Sequence, residues 1–128
     1  MKTINELHER YIWANRMRIQ MIKVLKKEHE IHKVEKFYQI ETSMYMNLWY
    51  ALLYTVIEGW KKLRLKDENL IKMLRSKNVD LLRKYRNYVF HFGDEKIEDL
   101  DLLKSKESAV WIQNINATLG EWFLKNNK

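Results

Sequence analysis

The chain has 128 residues, 24 basic against 17 acidic side chains for a formal net charge of +7, and neither cysteine nor proline. That length fits one domain over residues 1–128 with a core that closes without staples, and the lack of cysteine excludes a disulfide framework and any thiolate-ligated metal or cluster. Three glycines, no proline and an abundance of Leu, Lys, Glu, Met and Arg exclude a turn-rich β-sandwich and predict long helices, because these side chains lose little rotamer freedom in a helix.

The opening residues Met1-Lys2-Thr3-Ile4-Asn5-Glu6 have no apolar run of the signal-peptide kind, so a cytoplasmic protein is expected. Thr3 as N-cap and Glu6 three residues later form a capping-box spacing. Ile4, Leu7, Tyr11, Ala14, Met21 and Leu25 then recur with helical period, and Lys26 to Glu30 reads as a frayed end or a turn. A second helix is predicted from about Glu35 to Leu63. Its middle, Met44 to Ile57, is apolar on nearly every side, as in a helix buried on more than one face. The apolar block from Tyr45 to Ile57 is too short to span a bilayer, and no membrane association is expected.

Leu65-Lys66-Asp67 breaks the helix, and Asp67 is placed to cap a short third helix over Glu68–Arg75. Asn78 or Asp80 is placed to cap a fourth, which ends near Phe92 because Gly93 suits the left-handed conformation beyond a helix C-terminus. Asp94 to Asp101 reads as an acidic loop. A last helix from Ser105 or Ser108 to Lys125 carries Val110, Trp111, Ile115, Leu119, Trp122 and Phe123. The expected fold is all-α, an up-and-down bundle of four to five helices.

Charge is unevenly spread. Residues 1–36, 37–60, 61–91 and 92–128 sum to +4, −2, +7 and −2, so one segment holds the equivalent of the whole excess. A basic surface suits a phosphate backbone. Projected at about 100° per residue, the fourth helix turns Leu81, Leu82, Tyr85, Val89 and Phe92 to the core, and Arg86, Phe90, Arg83, Asn87, His91 and Lys84 away from it. Phe90 among those charges calls for cover, most simply by the same helix of a second copy, so a homodimer is expected.

Arg86-Asn87-Tyr88-Val89-Phe90-His91 resembles the R-x4-H signature of the HEPN (higher eukaryotes and prokaryotes nucleotide-binding) superfamily, in which a small polar residue, often Asn, follows the Arg. The resemblance implies a helical bundle dimerised around the motif, with RNA as partner and metal-independent endoribonuclease activity of the kind found in toxin–antitoxin, CRISPR and anti-phage systems. It also implies a cognate antitoxin or other partner protein. Under it, Arg86, Asn87 and His91 are the catalytic candidates, and Arg83 and Lys84 are candidates for binding RNA phosphates. Imidazoles exchange protons near neutral pH, so His91 suits proton movement as the 2′-OH attacks phosphorus. The Arg86 guanidinium suits the charge gathering on the phosphoryl oxygens, and Asn87 suits either the phosphate or the orientation of His91. Cleavage would leave a 2′,3′-cyclic phosphate. Some toxins of the superfamily extend the motif to R-x4-H-x-Y. Here Gly93 stands in place of the tyrosine, so adenylylation at that position is not expected.

The remaining candidates read as structural. His29 and His32 with Glu28 and Glu30 form a polar helix end rather than a metal site, and neither metal nor cofactor is expected. His8 belongs to an ordinary amphipathic helix. The aromatics of Tyr45–Trp60 and Trp111–Phe123 have core spacing. Glu58, one of two charges in residues 37–60 of the central helix, calls for a cationic partner such as an arginine of the fourth helix. Asn116-Ala117-Thr118 is a glycosylation sequon by pattern only. The alternative function is a non-catalytic helical module that binds a protein or a nucleotide. A DNA-binding domain is disfavoured by the lack of a helix-turn-helix pattern.

Overall fold

The capping box closes on itself in the computed structural model, which describes residues 3–30, 36–93 and 105–126. The Glu6 N–H donates to Thr3 Oγ1 at 3.2 Å and the Thr3 N–H to Glu6 Oε2 at 2.9 Å. Two orphan donors are thereby satisfied, and α1 runs from Ile4 to Glu30, so Lys26–Glu30 continues the helix. Leu7, Tyr11, Ala14 and Val24 are buried on its inner face. Leu25, expected on that face, is exposed. The 3.6-residue period has drifted by then, and Val24 takes the inward place.

Helix α2 (Lys36–Lys62) is the central one, packing against α1 and against the fourth helix. Its expected start at Glu35 lies outside the described residues. Trp49, Tyr50, Ala51, Leu53, Val56, Ile57 and Trp60 are all buried, in keeping with its all-round apolar middle. It closes at Arg64, whose φ of 54° is left-handed. Asp67 then caps α3 (Glu68–Met73), its Oδ1 accepting the Leu70 N–H at 2.9 Å.

Helix α4 (Asn78–Phe90) differs at both ends from the sequence expectation. Lys77 occupies its N-cap, and neither Asn78 nor Asp80 caps through its side chain. Asn78 is buried instead, with its Nδ2 donating to Ser76 Oγ at 3.0 Å and its Oδ1 accepting from Ser108 Oγ at 2.7 Å. At the other end His91 is the C-cap in an extended conformation, two residues before left-handed Gly93 (φ 87°). Phe92 has therefore left the core stripe and is fully exposed, whereas Leu81, Leu82 and Tyr85 are buried as expected.

Ser105 Oγ accepts the Ser108 N–H at 3.2 Å where α5 (Lys106–Asn126) begins. Ile112, Ile115, Leu119, Trp122 and Phe123 are buried, and the Trp111 indole donates to the Met73 carbonyl at 3.2 Å. Val110 is exposed rather than core. A polar pin seats α5. Asn116 accepts the Trp49 indole N–H at 3.0 Å and donates to Asn15 at 3.1 Å, while the Tyr11 hydroxyl donates to the Asn116 carbonyl at 3.0 Å. A Cβ at Gly120 would collide with that hydroxyl, so the close approach of α1 and α5 depends on a residue without a side chain.

Leu7 meets Gly59, Tyr50 meets Tyr85, and His8 stacks on Phe123. These pairings set α1, α2, α4 and α5 alternately up and down, with α3 at the corner between α2 and α4. The fold is an all-α helical bundle, and among the described residues there is no strand. No described helix is long and apolar enough to cross a membrane.

Candidate functional site

The α4 residues singled out in the sequence do not share one outward face. Arg86 leans across to α2. Its Nη1 lies 3.4 Å from Glu58 Oε2 and its guanidinium carbon 4.8 Å from the centroid of the Tyr54 ring. Asn87 Oδ1 accepts from Arg86 Nε at 3.3 Å and from Nη2 at 3.1 Å. The Arg86 side chain is 27% exposed. A guanidinium has five N–H groups. These bonds use one on each nitrogen, leaving one on Nη1 and one on Nη2 without a partner among the described residues.

Glu58, expected to need an arginine of α4, meets Arg86 and also lies 3.9 Å from Lys62. Tyr54 carried no sign of its role in the sequence, since its ring reads equally well as core. The position of α2 alone puts it under the guanidinium.

Arg83 and Lys84 lie on the exposed side of α4 and share one carboxylate. Arg83 Nη2 is 2.9 Å and Lys84 Nζ 3.8 Å from Asp80. Such exposed pairs exchange readily with water and other anions. Asn87 is half-buried, and its carbonyl accepts the His91 N–H at 2.8 Å. That bond is the last before the chain extends, so His91 stands exposed at the helix terminus. Among the described residues no hydrogen bond joins its imidazole to Arg86. Phe90 is 54% exposed, as its projection implied, and Phe92 is fully exposed. An open groove of about 910 Å³ runs alongside, lined by Ile40, Met44, Asn47, Tyr88, Val89 and Phe92.

The positive charge of residues 61–91 sits mostly elsewhere than on α4. Lys61, Lys62, Arg64, Lys66, Lys72, Arg75 and Lys77 are all exposed along the corner from the end of α2 through α3. Projection of α4 by itself missed this corner, although the segment sum pointed to it.

The other candidates fall as structure. His8 stacks on Phe123 with centroids 4.9 Å apart. Trp49, Tyr50, Trp60, Trp122 and Phe123 are core. Asn116 of the sequon is buried and bonded through both atoms of its amide. The side chain of His29, and His32 altogether, lie outside the described residues. So does the acidic stretch from Asp94 to Asp101. Among the described residues no three His, Asp or Glu side chains gather as a metal site requires. Burial raises Tyr50 above its ordinary pKa of 10.0, and it raises Tyr11 likewise, with Arg18 acting in the opposite direction.

The chain matches no protein-family model, no curated protein and no solved structure.

Proposed function

We propose that this protein is a HEPN-like RNA-binding endoribonuclease that acts as a homodimer and needs no metal ion. The observation behind this reading is the setting of Arg86. Glu58, Asn87 and Tyr54 fix its guanidinium, two N–H groups without a partner among the described residues remain for a phosphate, and His91 stands exposed five residues on, at the C-terminal end of the same helix. In the reaction the RNA 2′-OH loses its proton and attacks the adjacent phosphorus, and the bond from phosphorus to the 5′-oxygen breaks. That oxygen leaves with a proton, so 2′,3′-cyclic phosphate and 5′-OH ends result. His91 moves the proton, Arg86 neutralises the phosphoryl oxygens, and Asn87 holds Arg86 in place. Arg83, Lys84 and the basic corner at α3 hold the backbone. A second protomer supplies the other of the acid and base roles. Exposed Phe90 and Phe92 beside an apolar groove support such self-association. A toxin or defence role with a cognate antitoxin follows from the same resemblance.

RNA incubated with the protein and a chelator tests this directly. Cyclic-phosphate ends are expected from the wild type, with none from Arg86→Ala or His91→Ala and an intermediate yield from Asn87→Ala. Cleavage that persists in His91→Ala, or that the chelator abolishes, contradicts it. One observation favours a second reading, RNA binding without cleavage: His91 has left the helix and makes no hydrogen bond to Arg86 among the described residues. Unbroken RNA that nevertheless binds would establish it.

A further inference from the structure

The first turns of α1 and the last turns of α2 leave a groove of about 380 Å³, lined among others by Arg10, Trp13, Glu58 and Lys62. Trp13 is 48% exposed even though the Arg10 guanidinium lies 4.5 Å from its ring centroid. The indole thus keeps free area with the arginine in place. An exposed indole beside a planar cation is a sequence-tolerant platform for a nucleobase, since every base offers a π face. At the α2 end of the groove the Lys62 side chain is 74% exposed, with Lys61, Arg64 and Lys66 following on the surface. Glu58 lines the groove and also reaches Arg86 Nη1 at 3.4 Å, so one side chain separates the groove from the site on α4.

We infer that this groove is a base-binding subsite for single-stranded RNA, with Trp13 as the stacking platform and Lys61, Lys62, Arg64 and Lys66 taking the flanking phosphates. The inference rests on the RNA-binding reading above. The competing occupant is a lysine or arginine side chain of a peptide, which an indole in a groove lined by Glu6, Glu9 and Glu58 also suits. Arg10 already holds the cation position on the ring, and Lys62, which lines the groove, is also part of the exposed basic corner that runs on through Arg64, Lys66 and Lys72. A neutral base on the indole needs no second cation there, and its flanking phosphates run out from Lys62 along that corner, away from the carboxylates of the groove.

The test measures binding of a labelled oligoadenylate and of an RNA duplex of equal length, for the wild type, Trp13→Leu and Trp13→Tyr. Trp13→Leu is expected to weaken oligoadenylate binding at least about fivefold and to leave duplex affinity unchanged. Trp13→Tyr keeps a stacking ring and is expected to bind like the wild type. Should Trp13→Leu fail to fold, Lys61→Gln/Lys62→Gln is expected to make the salt dependence of oligoadenylate binding shallower by roughly one to two in logarithmic slope. Trp13→Leu that binds oligoadenylate as the wild type does overturns the subsite and leaves RNA binding standing, as does an unchanged salt slope in the double variant. A wild type that binds neither RNA at low salt overturns both. Tighter binding of a lysine-rich peptide than of oligoadenylate, lost in Trp13→Leu, overturns the subsite in favour of the cationic ligand.

Discussion

Two of the places where this bundle sets polar side chains among aromatic ones are built to opposite specifications. Under α5, Asn116 joins Trp49 of α2 and Asn15 of α1 through bonds of 3.0 and 3.1 Å, and Tyr11 closes the group on the Asn116 carbonyl. Asn116, Trp49 and Tyr11 are buried, and the bonds tie three helices together. At the flank of α4, Arg86 is partly exposed, its bonds run from 3.1 to 3.4 Å, and two of its N–H groups find no partner among the described residues. Buried, short and mutually satisfied polarity specifies which helix packs where. Polarity that is half-exposed and incompletely used leaves capacity for a ligand.

The contrast predicts unequal costs. Asn116→Ala strands the buried Trp49 indole N–H, at about 1–3 kcal/mol for a buried group left unpaired, while Asn15 Oδ1 keeps its bond from Arg18 Nε at 2.8 Å. A total loss of about 2 kcal/mol is expected in urea denaturation. A loss below about 1 kcal/mol would mean that the pin is ornamental. The next effect appears at alkaline pH. Tyr11 and Tyr50 have folded-state pKa values raised by burial above the ordinary 10.0. Their contribution is therefore fully present below pH 10. Above it the unfolded chain releases protons that the folded chain keeps, and stability falls. Thermal midpoints followed upward from pH 8 should be level and then drop beyond pH 10, with a smaller drop in Tyr50→Phe. Removal of Arg86 should cost less than the pin, about 1 kcal/mol for its stacking on Tyr54 and its partly exposed pairing. Arg86→Ala should thus remain folded by circular dichroism while losing RNA cleavage. His91→Ala, at the exposed end of α4, should leave the thermal midpoint unchanged.

Local chemistry was the legible part of this chain. Thr3 with Glu6 and Asp67 with Leu70 act within three residues of each other, and both caps form as their spacing requires. The apolar middle of α2 and the inward stripe of Leu81, Leu82 and Tyr85 follow from period alone. Most roles set by distant partners were not legible. Asn78 reads as a cap, yet burial under α5 turns it toward Ser108, thirty residues on. Asn116 reads as a sequon and serves as a pin because α5 descends between Trp49 and Asn15. On α4, an ideal helix placed Arg86 and His91 on one outer face. In the bundle, Glu58 and Tyr54 draw the arginine toward α2, and the chain extends at His91 two residues before left-handed Gly93. The pairing of Glu58 with an arginine was legible because a charge in so apolar a helix needs a counter-charge.

The central claim is that an exposed imidazole at the end of α4 moves the proton in RNA cleavage. Chemical rescue tests it most directly. With chelator present, wild-type protein should cleave single-stranded RNA, His91→Ala should not, and millimolar free imidazole should restore part of the lost rate to His91→Ala while leaving Arg86→Ala inactive. An uncleaving wild type, a His91→Ala variant that needs no rescue, or one that imidazole leaves inert would contradict the account.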